Sequence, residues 1–164
     1  MSPRILIVDD EAPLRRTLER ALRGMGCEVV SAGDAHVAYQ LLDETDVDLV
    51  LLDLHLPQMS GATFYLALTR RWPRLADRVV LMTGDTYPEK EHWPADLQRC
   101  PLLLKPFTLD LLRNMRNLAS NPCAHSLVAF YRSSAHFRQI LSEIRPRYVL
   151  SPIAVPQGIA AKAN

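Results

Sequence analysis

The sequence predicts an α/β fold: a doubly wound, five-stranded parallel sheet covered by helices on both faces, followed by a C-terminal helical extension. Two observations carry this. Short continuous apolar runs recur at Ile5–Val8, Leu49–Leu52, Val79–Met82 and Leu102–Leu104, and runs apolar at every position read as strands buried on both faces. Between the runs lie segments with apolar residues at helical spacing, so strand and helix alternate and each crossover is expected to be right-handed.

The elements follow in chain order. After the first strand, Ala12 to Met25 reads as a helix with Pro13 in its first turn, with Leu14, Leu18, Ala21, Leu22 and Met25 repeating at helical spacing. Gly24 and Gly26 mark its end. Cys27 to Ala32 reads as the second strand. Asp34 is the expected N-cap of a second helix whose buried side is Val37, Ala38, Leu41 and Leu42. The third strand runs to Asp53 and is followed by a loop, His55 to Gly61, with Pro57 and Gly61 as breakers. A third helix is expected over about Ala62 to Trp72, closed by Pro73, and the fourth strand ends at Thr83. Tyr87 to Arg99 is expected to hold a fourth helix that is short, kinked or partly loop. Pro88 suits a first turn, but Pro94 would remove a backbone donor and clash one turn earlier. The fifth strand leads to Lys105–Pro106, and a fifth helix runs from Thr108, its N-cap, to about Ala119.

These elements define one domain, residues 1–120. Residues 121–164 differ in character. Ser120, Asn121 and Pro122 break the preceding helix, and a further helix is expected at about 125–145, with Leu127, Phe130, Tyr131, Phe137, Leu141 and Ile144 on one side. Pro146, Pro152 and Pro156 then favour an irregular tail. The stretch is too small for an ordinary helix-turn-helix output domain.

Composition narrows the class. The 164 residues are 48% hydrophobic and 23% charged, as in ordinary globular chains. No apolar stretch approaches the roughly 18–20 residues of a membrane span, and the chain enters a strand without a secretory leader. Cys27, Cys100 and Cys123 suit neither a disulfide framework nor a zinc site, so a cytoplasmic location is expected. Charge is uneven: residues 1–120 hold 14 Lys and Arg against 17 Asp and Glu, whereas residues 121–164 hold 5 against 1. The simpler reading of the basic tail is a solvated segment with scattered arginines; as a binding element it suits an acidic partner or nucleic acid, and the aromatic side of its helix argues for protein contact over DNA.

Four apolar runs stop at polar residues: Asp9 and Asp10, Asp53, Thr83, and Lys105. In an open α/β sheet the ligand site lies beyond the carboxyl ends of the strands, so three carboxylates, a hydroxyl and an ammonium are expected to converge. Each is unremarkable alone, as cap, turn residue or surface charge; one such feature on four of five strands is what points to a site. The set suits phosphoryl transfer, which needs positioning and charge neutralisation. A carboxylate acts as nucleophile, Mg²⁺ takes carboxylate oxygens, lysine neutralises a phosphoryl oxygen and threonine donates to another.

On these residues the sequence resembles the receiver domain of two-component response regulators. The matching pieces are Ile7-Val8-Asp9-Asp10-Glu11, Leu51-Leu52-Asp53-Leu54 with Pro57 and Gly61, Met82-Thr83-Gly84, and Leu104-Lys105-Pro106-Phe107, spanning residues 4 to about 119. The resemblance implies a flavodoxin-like strand order 2-1-3-4-5. It implies that Asp53 is the phosphoacceptor, that Asp9, Asp10, Asp53 and the backbone carbonyl of His55 hold Mg²⁺, and that Thr83 and Lys105 bind the phosphoryl group. It also implies a cis Lys105–Pro106 bond, a histidine kinase or histidine phosphotransfer protein as donor, and no metabolic enzyme activity beyond self-catalysed phosphoryl transfer and slow autodephosphorylation. The downstream target is an unnamed protein, with a homodimer as a candidate assembly.

Three features depart from the family pattern. Leu102 stands where an aromatic switch residue is usual, two prolines interrupt the fourth helical segment, and the extension replaces an effector domain. His55 and Asp85 occupy positions that in the family tune phosphate lifetime; a His55 side chain that only points into solvent is the simpler expectation. Competing readings are a scaffold that signals without phosphate through its extension and a metal-dependent phosphatase. The phosphatase needs a second acid two residues after the nucleophile, and Asp53-Leu54-His55 lacks it.

Overall fold

The computed structural model describes residues 2–85 and 93–120. It shows five parallel strands, β1 (Arg4–Val8), β2 (Glu28–Ala32), β3 (Leu49–Asp53), β4 (Val79–Thr83) and β5 (Leu102–Leu104), in the order β2-β1-β3-β4-β5. Register is continuous across the sheet: Leu6 sits beside Val30 and Val50, and Leu52 beside Leu81. This is the flavodoxin-like order expected. The chain leaves β1 for one side and returns on the other, so β1 and β3 flank the point where strand order reverses.

The apolar runs alternate between two buried layers, because successive side chains of a strand point to opposite faces. One layer combines Leu6, Val8, Val50, Leu52, Val79 and Leu81 with helix α2 (Ala35–Glu44), helix α3 (Gly61–Arg71) and helix α4 (Ala95–Arg99), through Ala38, Leu42, Phe64, Leu68 and Leu97. The other combines Ile5, Ile7, Leu49, Leu51, Val80, Met82 and Leu103 with α1 (Ala12–Gly24) and α5 (Leu109–Ser120), through Leu18, Leu22, Leu112 and Met115. Each fully buried Leu or Ile contributes about 1.5–3 kcal/mol, so both faces hold the sheet.

Several boundaries differ from the sequence reading, each for a local reason. Helix α1 stops at Gly24, with Met25 as its C-cap and Gly26 at φ 83°, a left-handed conformation that glycine adopts without penalty. Cys27 donates its N–H to Leu22 at the end of α1, so β2 starts one residue later than expected. Asp34 caps α2 as expected, accepting from the Val37 N–H at 2.9 Å. Val37 itself is 36% exposed, not buried; Ala35 takes its place on the inward side. Helix α3 begins at Gly61 because the Ser60 hydroxyl accepts from the Thr63 N–H at 3.2 Å, and a 3₁₀ turn, Pro73–Leu75, follows it.

The fourth helix is confined to Ala95–Arg99, with Pro94 as its N-cap at φ −52° and ψ 143°. The proline sets the start of the helix and does not kink its interior. The expectation for Pro88 lies outside the described residues. Thr108 caps α5, its hydroxyl accepting from the Leu111 N–H at 3.4 Å. The helix expected at about 125–145 and the tail beyond it also lie outside the described residues. No helix among the described residues is long and apolar enough to cross a membrane.

Candidate functional site

The carboxyl ends of β1, β3, β4 and β5 bring together the residues singled out in the sequence. Asp9 and Asp10 follow β1, Asp53 ends β3, Thr83 ends β4 and Lys105 follows β5. Asp9, Asp53 and Thr83 are buried, and Asp10 is exposed. One carboxylate oxygen from each of Asp9, Asp10 and Asp53 lies within 4.8 Å of the others. Lys105 reaches across the sheet edge, its Nζ 2.6 Å from Asp53 Oδ2, 2.8 Å from Asp9 Oδ2 and 3.2 Å from Glu11 Oε1. The Lys105–Pro106 bond is cis.

Asp9 and Asp53 are oriented in the same way. Oδ1 of Asp9 accepts from the Glu11 N–H at 2.8 Å, and Oδ1 of Asp53 accepts from the His55 N–H at 3.0 Å. Each buried aspartate thus closes a side-chain turn on the backbone two residues on and turns its second oxygen toward Lys105. Gly61 permits this tight path after β3. A Cβ there would lie 2.2 Å from the Asp53 carbonyl oxygen and 2.7 Å from the Leu54 Cα.

Electrostatics follow from burial. Loss of water pushes the Asp9 carboxyl up, against the pull of the Lys105 ammonium and the Glu11 N–H, and the Asp53 charge adds to the rise. Burial alone would pull Lys105 down, but the hydrogen bond to Asp53 and the charges of Asp53 and Asp9 outweigh it and hold the ammonium well above its usual range. The 2.8 Å approach of Lys105 to Asp9 Oδ2 is an ion contact without hydrogen-bond alignment. Asp9 Oδ2 is therefore buried with no hydrogen-bond partner among the described residues. A buried oxygen with an open lone pair, beside two further carboxylates, suits a hard divalent cation with oxygen ligands, so the donor set fits Mg²⁺.

Thr83 Oγ1 accepts from the Asp85 N–H at 3.0 Å, which leaves the hydroxyl proton to donate elsewhere. The His55 side chain does not simply face solvent. Its Nε2 meets Asp85 Oδ2 at 2.7 Å, linking the loop after β3 to the loop after β4, with both side chains more than half exposed. Leu102 is half-buried and packs on the layer beneath α2, α3 and α4, as does Trp93.

Two participants carried no signal strong enough to be assigned from sequence. Glu11 supplies a third carboxylate to Lys105, and its place beside the acid pair was the only pointer. Arg15, one turn into α1, donates from its guanidinium to the Asp9 backbone carbonyl; nothing but its distance along the helix hints at this.

A profile of the response regulator receiver domain matches residues 5–117. The phosphate regulon transcriptional regulatory protein PhoB of Shigella flexneri is 31% identical over 148 aligned residues, covering 79% of this chain and 65% of PhoB. The aerobic respiration control protein ArcA of Escherichia coli is 31% identical over 121 residues, covering 73% of this chain and 49% of ArcA. The chain spans less than two thirds of the length of these relatives. Among solved structures, the signal receiver domain of an HD domain-containing protein from Pseudomonas fluorescens Pf-5 matches with a TM-score of 0.65 at 29% identity, covering 73% of this chain and 95% of that one. TrrA from Thermotoga maritima, solved in complex with Mg²⁺–BeF, matches with a TM-score of 0.60 at 26% identity, covering 71% and 98%. The profile match runs from β1 into α5 and agrees with the observed strand order, so this chain belongs to the response regulator receiver domains of two-component signalling.

Proposed function

We propose that the chain is a phosphoacceptor, phosphorylated on Asp53 by a histidine kinase or histidine phosphotransfer protein, and that phosphorylation switches a protein–protein interaction. The observation that carries this is the convergence of Asp53 with Lys105, Thr83 and the Asp9–Asp10 pair at the point where strand order reverses. An Asp53 carboxylate oxygen attacks the phosphorus of a phosphohistidine; the new O–P bond forms as the P–N bond breaks, and the leaving imidazole takes a proton. The His55 N–H and Lys105 hold the Asp53 carboxylate for that attack. Lys105 neutralises one phosphoryl oxygen, and Thr83 donates its free hydroxyl proton to another. Mg²⁺, held by Asp9, Asp10, Asp53 and the His55 carbonyl, would offset the remaining charge on the phosphoryl oxygens. The fit of a relative bound to Mg²⁺–BeF supports this assignment.

The site turns over no free metabolite in this reading; its only chemistry is its own phosphorylation and slow hydrolysis of the acyl phosphate. Cys27 and Cys100 are buried and form no disulfide, which is compatible with cytoplasmic action. Leu102, in place of an aromatic, favours one rival, a scaffold that signals through its extension without phosphate.

Intact mass after incubation with Mg²⁺ and acetyl phosphate separates the two. One added phosphoryl group, absent in Asp53→Asn, supports the phosphoacceptor. No gain in the folded protein, with acetyl phosphate or with a phosphorylated phosphotransfer protein, overturns it in favour of the scaffold.

A further inference from the structure

We infer that Arg15 and Gly33 form a paired device that positions the Asp9–Asp10 turn for cation binding. The inference rests on the reading of the acidic cluster as an Mg²⁺ site. Arg15 is half-buried in the first turns of α1, and among the described residues it makes no ion pair with a carboxylate side chain. Its guanidinium instead donates to the backbone carbonyl of Asp9. Arginine presents a rigid planar fork, so the direction of that donation is defined.

The turn is held from three sides. The Asp9 N–H donates to the Ala32 carbonyl at 3.1 Å, which ties the turn to the end of β2. Asp9 Oδ1 accepts from the Glu11 N–H, which sets the side-chain direction. The Asp9 carbonyl would otherwise be free to rotate, and its peptide plane carries Asp10. Arg15 fixes that plane. Asp9 and Asp10 supply two of the three candidate carboxylate ligands, so a small rotation here moves two carboxylates against Asp53 at once.

Gly33 makes room for the guanidinium. It directly follows β2, next to Ala32, and a Cβ at this position would lie 3.3 Å from both Arg15 Nη1 and Nη2. Gly33 does not adopt a positive φ, so backbone conformation does not require glycine here. A side chain there would crowd the arginine head, which would have to shift by a few tenths of an ångström even for a Cβ. Arg15 is a positioning residue, acting on the cation site through the Asp9 backbone without touching the reacting atoms.

The test is Mg²⁺ titration of the full 164-residue chain by calorimetry, for wild type, Arg15→Gln, Arg15→Lys, Gly33→Val and the Arg15→Gln/Gly33→Val double variant. Thermal melts in EDTA check that each folds. The expected result is a loss of roughly tenfold in Mg²⁺ affinity for Arg15→Gln, the scale seen when partners that orient metal ligands are removed. Gly33→Val, which evicts the guanidinium while leaving it in the chain, is expected to lose as much, the double variant no more than either single one, and Arg15→Lys less. Wild-type affinity in folded Arg15→Gln, or additive losses in the double variant, overturns the inference while leaving the metal site standing. Failure of wild type itself to bind millimolar Mg²⁺ overturns the metal reading and the inference with it.

Discussion

Lys105 places one positive charge within 3.2 Å of three carboxylates, two of them from the candidate metal cage. An ammonium and a divalent cation therefore compete for Asp9 and Asp53. Charges about 4 Å apart interact by a few kcal/mol at protein surfaces, so removing the ammonium is expected to improve metal binding while harming transfer. Lys105→Ala should bind Mg²⁺ roughly tenfold more tightly by calorimetry, yet take phosphoryl from acetyl phosphate roughly 100-fold more slowly by intact mass, the loss expected for one oriented donor. Weaker Mg²⁺ binding in that variant would mean that Lys105 organises the cage instead of competing with the ion.

Tyr65 shows the same physics away from the site. Its hydroxyl donates to the Ala76 carbonyl at 3.3 Å, and burial lifts its pKa far above the ordinary phenol range, with Cys100, Asp96 and Asp77 adding to the rise. The unfolded chain ionises this group from about pH 10, while the folded chain keeps it protonated. Stability is therefore fully present below that pH and falls as pH rises toward the folded value, by about 1.4 kcal/mol per unit for one group. Lys105, also raised, adds a dependence of the same sign. In urea unfolding above pH 10, Tyr65→Phe should remove the tyrosine share of that slope, after costing about 1 kcal/mol at pH 7 for the lost hydrogen bond. An unchanged slope would show that Tyr65 ionises in the folded state as it does in the unfolded one.

At the scale of elements, the β3–α3 connection links fold and site most directly. Asp53 ends the strand, His55 donates to it, and Gly61 starts the helix against the Asp53 carbonyl. The obstruction to a side chain at Gly61 is backbone, which cannot swing away. Gly61→Ala is expected to destabilise the protein by about 3 kcal/mol in urea and to slow Asp53 phosphorylation, because the strand end must shift. Full stability with normal phosphorylation would mean that α3 slides without moving Asp53. The strands were legible because both faces of the sheet are covered, so Ile5–Val8 or Leu49–Leu52 had to be apolar throughout. The start of α4 was legible only as trouble: Pro94 signalled a break, but whether a proline kinks a helix or opens one depends on the backbone before it. Val37 was misplaced because it lies four residues before Leu41 at one edge of the inner face, whereas the helix turns its other edge inward and buries Ala35, seven residues before Leu42. The site residues at strand ends could be read because topology alone brings them together. Glu11, Arg15 and the His55–Asp85 pair act through long or loop-borne side chains, whose partners are set by tertiary distance that no sequence spacing encodes.

At the scale of the molecule, the two apolar layers of the described residues run as far as Ala119. Helix α5 seals one of them through Leu111, Leu112, Met115, Leu118 and Ala119. Its end is fastened to the sheet side by Arg78, which donates to the Leu118 carbonyl at 3.2 Å. The family profile ends at residue 117 and both buried layers are built from residues up to Ala119, so folding and phosphoryl chemistry are expected to be complete by Ser120. A chain ending at Pro122 should therefore unfold cooperatively and take phosphoryl on Asp53 at the rate of the full chain. A chain ending at Arg113 deletes Met115 and Leu118 from a sealed layer; with each such loss costing about 2–5 kcal/mol, it should not fold. Circular dichroism melts and intact mass after acetyl phosphate check both. Should the chain ending at Pro122 fold but fail to take phosphoryl, residues 123–164 would belong to the phosphoryl-transfer site itself, and the extension would have to be read as part of the reaction instead of its output.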